Sequence, residues 1–192
     1  MPVRNQAAVD FLAARRSRSA KQFTQPVPDR AQVTEILTLA TRVPDHGKLE
    51  PWRVLVLERP ALQRLAGLAE ARAVELGGDA EKIAKGRGQY DLGQLAVVVI
   101  AAPKTHPKVP RSEQLQSASA LCMGLVTVAE AAGWGACWLT GWTAHDAAFA
   151  ARAFGCVGDE TVAGIVHIAT PGSDGVERPR PDLDRLVRWI SA

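Results

Sequence analysis

The chain is poor in the features that would fix compartment or chemistry at a glance. Its 192 residues hold only three cysteines, Cys122, Cys137 and Cys156. They are far apart, set among apolar neighbours and include no CxxC pair, so no disulfide framework is written into the sequence. Reduced thiols in a cytoplasmic protein are the expectation. Arg4, Asp10, Arg15 and Arg16 interrupt the N-terminal segment, which therefore lacks a signal peptide's apolar core. The longest apolar run, Leu95 to Ala102, is far too short to span a bilayer, and no membrane partner is expected. The 12 prolines and 16 glycines are scattered, leaving no linker, low-complexity tract or internal repeat.

Several chemistries lack their usual marks. There is no GxGxxG or GxxxxGK[ST] turn between a strand and a helix, so neither a dinucleotide-binding Rossmann unit nor a P-loop is supported. The four histidines, 46, 106, 145 and 167, show no HxxxH or mixed Cys/His spacing, and no metal is expected. His167, within GIVHIA, reads as a core strand residue. No Ser-His-Asp constellation is visible.

What is present is an ordinary globular composition, 47% hydrophobic and 22% charged, sufficient for one sizeable core and read as one domain over 1–192. A formal charge of +3 and a pI near 9.0 lean towards anionic ligands without marking a nucleic-acid binder. Apolar spacing predicts a helix over Val3 to Ala14, running into Arg15 to Arg18. A second helix follows, with Asp29 as N-cap and Gln32 completing a capping box, and ends near Val43 before Pro44. A strand at Trp52–Leu57, a helix from Pro60 to about Leu76, a strand at Leu95–Ala102 buried on both faces and a long helix from Ser112 to Ala132 come next. Strands at Trp134–Thr140 and Val162–Ala169 bracket a helix near Asp146–Phe154, and a short helix follows Asp182. Helices packed on a central sheet are implied.

Four segments could carry chemistry. Arg15-Arg16-Ser17-Arg18, with Lys21 beyond, offers the guanidinium forks and hydroxyl that grip a phosphate, or equally a solvated cap on a helix C-terminus. Arg178-Pro179-Arg180-Pro181 holds two arginines on a stiff backbone, either as a second half of such a clamp or as a surface linker. The loop from Arg42 through Pro44-Asp45-His46 to Pro51-Trp52 is dense in polar groups and leads straight into a strand. Gly133 to Trp142 packs three of the five tryptophans among small residues, either to let backbone amides approach a planar ligand or to build a bulky core strand. Cys137 has no base partner identifiable in the sequence.

Taken in this order, the segments resemble the FMN-dependent nitroreductase family. The family pattern of Arg-Arg-Ser after the first helix, a Pro-Asp-His loop running to Pro-Trp, a Gly-x-Gly-x-x-Trp strand and a basic Lys/Arg-x-Arg close is matched by Arg15-Arg16-Ser17, Pro44-Asp45-His46 to Pro51-Trp52, Gly133-Trp134-Gly135 to Trp138, and Arg178-Pro179-Arg180. The Pro-Asp-His loop and the stretch from His106 to Gln114 point to the small NAD(P)H nitroreductase branch. The resemblance covers nearly the whole chain. It implies an α+β nitroreductase-like fold with a central, mostly antiparallel sheet flanked by helices, and an obligate homodimer with FMN at the subunit interface.

Carried over by position, the resemblance implies that Arg15, Arg16 and Ser17 hold the phosphate and ribityl chain and that Arg178 and Arg180 complete the clamp. Trp138, Leu139 and Thr140 would line the isoalloxazine through backbone groups, and Arg42 and His46 would approach it from the neighbouring subunit. Val128 to Gly133 would contact NAD(P)H. Ser19 stands where many members carry Lys or Arg, and Glu50 where they carry Gln, leaving Arg18, Lys21 or Lys48 to supply a cation near the flavin N1/O2 edge. The implied activity is a ping-pong transfer of hydride from NAD(P)H through flavin N5 to a small-molecule acceptor, a nitroaromatic or quinone. Dehalogenation, flavin breakdown or electron storage on the same fold is the alternative. A basic nucleic-acid-binding module is a further rival, but stacking aromatics beside the arginines are missing, and no nucleic-acid partner is expected.

Overall fold

The structure, a computed structural model, describes residues 2–191. In chain order it contains α1 (Gln6–Ala14), β1 (Phe23–Thr24), α2 (Arg30–Ala40), β2 (Trp52–Leu57), α3 (Arg59–Glu75), α4 (Ala80–Asp91), β3 (Ala96–Ala101), α5 (Arg111–Ala131), β4 (Gly135–Leu139), α6 (Gly141–His145), α7 (Ala147–Phe154), β5 (Thr161–Pro171) and α8 (Leu183–Leu186). Two short 3-10 turns lie at Ala20–Gln22 and His46–Lys48.

All strand pairings are antiparallel. β3 pairs with β2 and β5; β5 also pairs with β4 and, at its C-terminal end, with β1. Period-two geometry sends alternate side chains of β3 to opposite faces, and both faces are covered. Val97, Val99 and Ala101 enter one core with Ile36 of α2 and Leu121 and Leu125 of α5. Ala96, Val98 and Ile100 enter a second core with Leu62 and Leu65 of α3, Tyr90 of α4 and Phe149 of α7. This double burial explains why the sequence of β3 is apolar without alternation. It also makes the fold α+β, a central antiparallel sheet between helical layers.

The punctuation of the helices follows the sequence closely. Asp29 accepts from the Gln32 N–H at 2.8 Å while the Gln32 side chain accepts from the Asp29 N–H at 3.0 Å, the reciprocal capping box. α2 ends at Ala40, slightly before the expected Val43, and α3 stops before Gly77, whose φ is +64°.

Two helices were not anticipated. α4 is masked in the sequence by Gly86 and Gly88, which weaken its helical propensity. The structure gives Gly86 a packing reason, because a Cβ there would lie 2.5 Å from the Trp142 ring. α6 is a short turn of five residues between β4 and α7.

The two ends of the chain leave apolar side chains in water. No residue of α1 is buried, and Leu12 stands exposed. Leu183, Leu186, Trp189 and Ile190 are exposed in the C-terminal segment, Trp189 to 94%.

Candidate functional site

The C-terminal end of α1 is the nucleus of the site. Its last carbonyls carry the negative end of the helix dipole and need donors. Arg16 Nη1 donates to the carbonyls of Ala13 at 2.7 Å and Arg15 at 2.9 Å. Arg180 Nη2, from the other end of the chain, donates to the same Ala13 carbonyl at 2.8 Å. Of the two readings the sequence offers, these contacts are those of a helix cap, and the cap draws both arginine segments to one place.

Around this junction lies a cavity of about 570 Å³ whose walls include Arg15, Arg16, Ser17, Trp138, Leu139, Arg178 and Arg180. Three remote parts of the chain thus meet at one concavity of a size that suits one small ligand. β4, which pairs with β5 alone, reaches it from the sheet edge, and Trp138 Nε1 donates to the Ala163 carbonyl of β5 at 3.3 Å. Gly164 permits that approach, since a Cβ there would collide with the Trp138 indole. Within the walls, Glu177 pairs with Arg16, its Oε2 accepting from Nε at 2.6 Å. One acidic group thus faces four guanidiniums.

Thr140 is outside these walls; it caps α6, and its carbonyl accepts from Gln89 Nε2 at 3.0 Å. Arg42 and His46 are also outside, both exposed, and His46 Nδ1 lies 2.8 Å from Glu113 Oε2. The loop that carries His46 is tightly specified. Asp45 accepts from the N–H groups of Leu49 at 3.0 Å and Glu50 at 2.8 Å, across a stretch in which Gly47, Lys48 and Glu50 all have positive φ. Positive φ at two non-glycine residues is strain that persists only where such contacts over-determine it.

Cys137 also lines the cavity, but burial pushes its thiol up, away from the thiolate a nucleophile needs. The segment Val128–Gly133 lies elsewhere. Val128, Ala131 and Ala132 border a separate groove of about 460 Å³ against Ile36 and Leu39 of α2. A further hollow, of about 970 Å³ between Val33, Leu37, Val56 and Arg59, contains none of the expected site residues. Among the described residues no group of three or more His, Cys, Asp or Glu is arranged to hold a metal, and no helix is long and apolar enough to cross a membrane.

Sequence reading missed Glu130. It lies near the end of α5, where a negative charge opposes the helix dipole, and its side chain is only 3% exposed. Its Oε2 is 3.4 Å from Arg15 Nη1, while Oε1 is buried without a partner. Burial pushes this carboxyl up, and the charges of Arg15 and Arg18 pull it back down. The only available signal was an isolated charge in the otherwise neutral second half of a long helix.

This fold, with two arginine clusters closing on a cavity beside β4, defines a class. The chain belongs to the nitroreductase family, whose model, the "Nitroreductase family", matches residues 12–170. Among its relatives is the Escherichia coli (strain K12) protein named "Putative NAD(P)H nitroreductase YdjA", 31% identical over 177 residues, covering 91% of this chain and 95% of that one. A nitroreductase-like family protein from Bacillus cereus has the same fold, with a TM-score of 0.76, 22% identity and full coverage of both chains. The FMN and NADPH-dependent nitroreductase NfnB of a Sphigopyxis strain superposes with a TM-score of 0.69 at 20% identity, covering 96% of this chain and 99% of that one.

Proposed function

We propose that this protein is an FMN-dependent oxidoreductase that takes hydride from NAD(P)H and delivers electrons to a small organic acceptor, a nitroaromatic or a quinone, in a ping-pong cycle. The observation that carries the reading is the convergence of Arg15, Arg16, Ser17, Arg178 and Arg180 with Trp138 and Leu139 on one cavity of about 570 Å³. The donor set suits a phosphorylated flavin. Guanidinium forks and a hydroxyl match phosphate oxygens, and β4 offers a flat wall beside them. Four arginines gathered at one concavity, rather than along a stripe, suit a compact phosphate better than a nucleic-acid backbone.

Bound FMN would supply the redox chemistry, hydride uptake and electron delivery. The chain's own residues supply binding and electrostatics. Arg15, Arg16, Arg178 and Arg180 hold the phosphate, with Ser17 beside them. Arg16 must first leave Glu177, an exposed partner that a phosphate can replace. Trp138 and Leu139, with Thr140 next in sequence, fix the ring position. No general base is required of the protein in this reading.

The working unit in this reading is a homodimer. Exposed apolar side chains on α1 and the C-terminal segment call for a cover, and Arg42 and His46 lie outside the cavity of their own chain, free to complete the site of a second copy. Steady-state kinetics with NADH or NADPH and a quinone test the proposal. Parallel double-reciprocal lines are expected; lines that intersect would reject the ping-pong cycle, and absence of turnover with every quinone and nitroaromatic tried would reject the activity.

A further inference from the structure

Arg15 is a wall of the cavity, and what stands behind it decides where its guanidinium points. A long side chain at a helix end has a ready route into solvent, and Arg15 is partly exposed along it. Glu130 tethers it from the interior instead. It is nearly fully buried, it does not line the cavity, and its Oε2 meets Arg15 Nη1 at 3.4 Å from the protein side. Arg18 belongs to the same cluster: its N–H is fixed to the Ala136 carbonyl at 3.2 Å, and its Nε is buried without a hydrogen-bond partner. Arg15, Arg16 and Arg18 concentrate positive charge on one short stretch of chain, and the Glu130 carboxylate is the buried negative charge that meets it, through Arg15. A buried ion cluster is a poor source of stability but a good fixer of geometry.

We propose that Glu130 is a positioning residue: its buried carboxylate pairs with Arg15 and holds that guanidinium against the cavity wall with its remaining N–H groups turned to an anionic ligand. This rests on the reading of the cavity as a flavin-phosphate site. Without the carboxylate, Arg15 gains freedom to swing to solvent. The ligand then loses an oriented donor fork. A carboxylate that merely competed with the phosphate would have to face the cavity, and Glu130 does not.

The test compares FMN with riboflavin, which lacks the phosphate, by flavin-fluorescence titration of the apoprotein. For wild type, FMN should bind much more tightly than riboflavin. Glu130→Gln should weaken FMN by roughly tenfold, the lower end of what loss of an outer-layer partner costs a ligand site, and leave riboflavin within about twofold, since only the phosphate contact is affected. Glu130→Asp keeps the charge one methylene back and should recover at least half of the lost FMN affinity, again without moving riboflavin. If Glu130→Gln fails to fold, Glu130→Asp alone should still weaken FMN selectively.

An equal loss for both flavins would make Glu130 a structural residue and overturn the proposal. Unchanged or tighter FMN binding in Glu130→Gln, or an Asp variant as poor as the Gln variant, would also overturn it. A wild-type protein that binds FMN no better than riboflavin would reject the phosphate site itself, an outcome distinct from a phosphate-selective wild type that Glu130→Gln leaves unaltered.

Discussion

His167 sets a pH limit on the stability of the fold. It is fully buried in the middle of β5, neither ring nitrogen has a hydrogen-bond partner, and Leu62 and Gly93 lie close to where it packs. Burial alone pushes its pKa down to about 4 from an ordinary value near 6.5. The sign follows from which state binds the proton. Above pH 6.5 the imidazole is neutral in both states, so nothing is lost. Between 6.5 and about 4 the unfolded chain takes up a proton that the folded chain refuses, and stability falls. Below about 4 both states are protonated and the loss is complete, at roughly 3 kcal/mol for a gap of this size.

Other groups titrate nearby. Glu75, Asp146 and Glu160 are held below the ordinary carboxylate range by paired arginines, so their contribution is present above that range and disappears only in stronger acid. Glu130, pushed up by burial, acts in the opposite sense, favouring the folded state as it protonates. The informative quantity is therefore the difference between wild type and His167→Leu, measured by urea unfolding over a pH series. The variant has no imidazole and loses no hydrogen bond. Its advantage over wild type should grow by roughly 2.5 kcal/mol between pH 7.5 and 4.5. A difference that stays constant with pH would refute the argument.

Further outcomes follow from single contacts. Arg15→Ala should weaken FMN binding by about 1.5 to 3 kcal/mol, the scale of a charge-assisted hydrogen bond; unchanged affinity in a fluorescence titration would remove Arg15 from the site. Glu177→Gln frees Arg16 of its internal anion and should tighten FMN binding by a few tenths to about 1 kcal/mol, the range of an exposed ion pair, while weaker binding would show that Glu177 helps to form the site. Gly86→Ala would push a methyl group into the Trp142 ring and should cost about 1 to 3 kcal/mol in urea unfolding; a neutral result would mean that the indole can move.

The elements most legible in the sequence were those whose local signals agree. The capping box at Asp29 and Gln32, the unbroken apolar run of β3 and the end of α3 close to Leu76 all appear in the structure as expected, because short-range chemistry determines them. α4 was hidden because Gly86 serves a tertiary contact with Trp142 at the expense of local propensity, which no local pattern reveals. For the site, the sequence named the two arginine clusters but could not choose between clamp and cap. The structure shows the cap contacts, with Arg16 and Arg180 on the same Ala13 carbonyl, whereas a clamp depends on a ligand that no local pattern specifies. Glu130 was invisible because its importance comes from burial beside Arg15, a residue 115 positions away.

The central claim is the flavin site, and a visible absorption spectrum of the purified protein tests it most directly. A yellow protein with the flavin band pair, releasing FMN on denaturation, is the predicted result. A colourless protein that takes up no added FMN would contradict it.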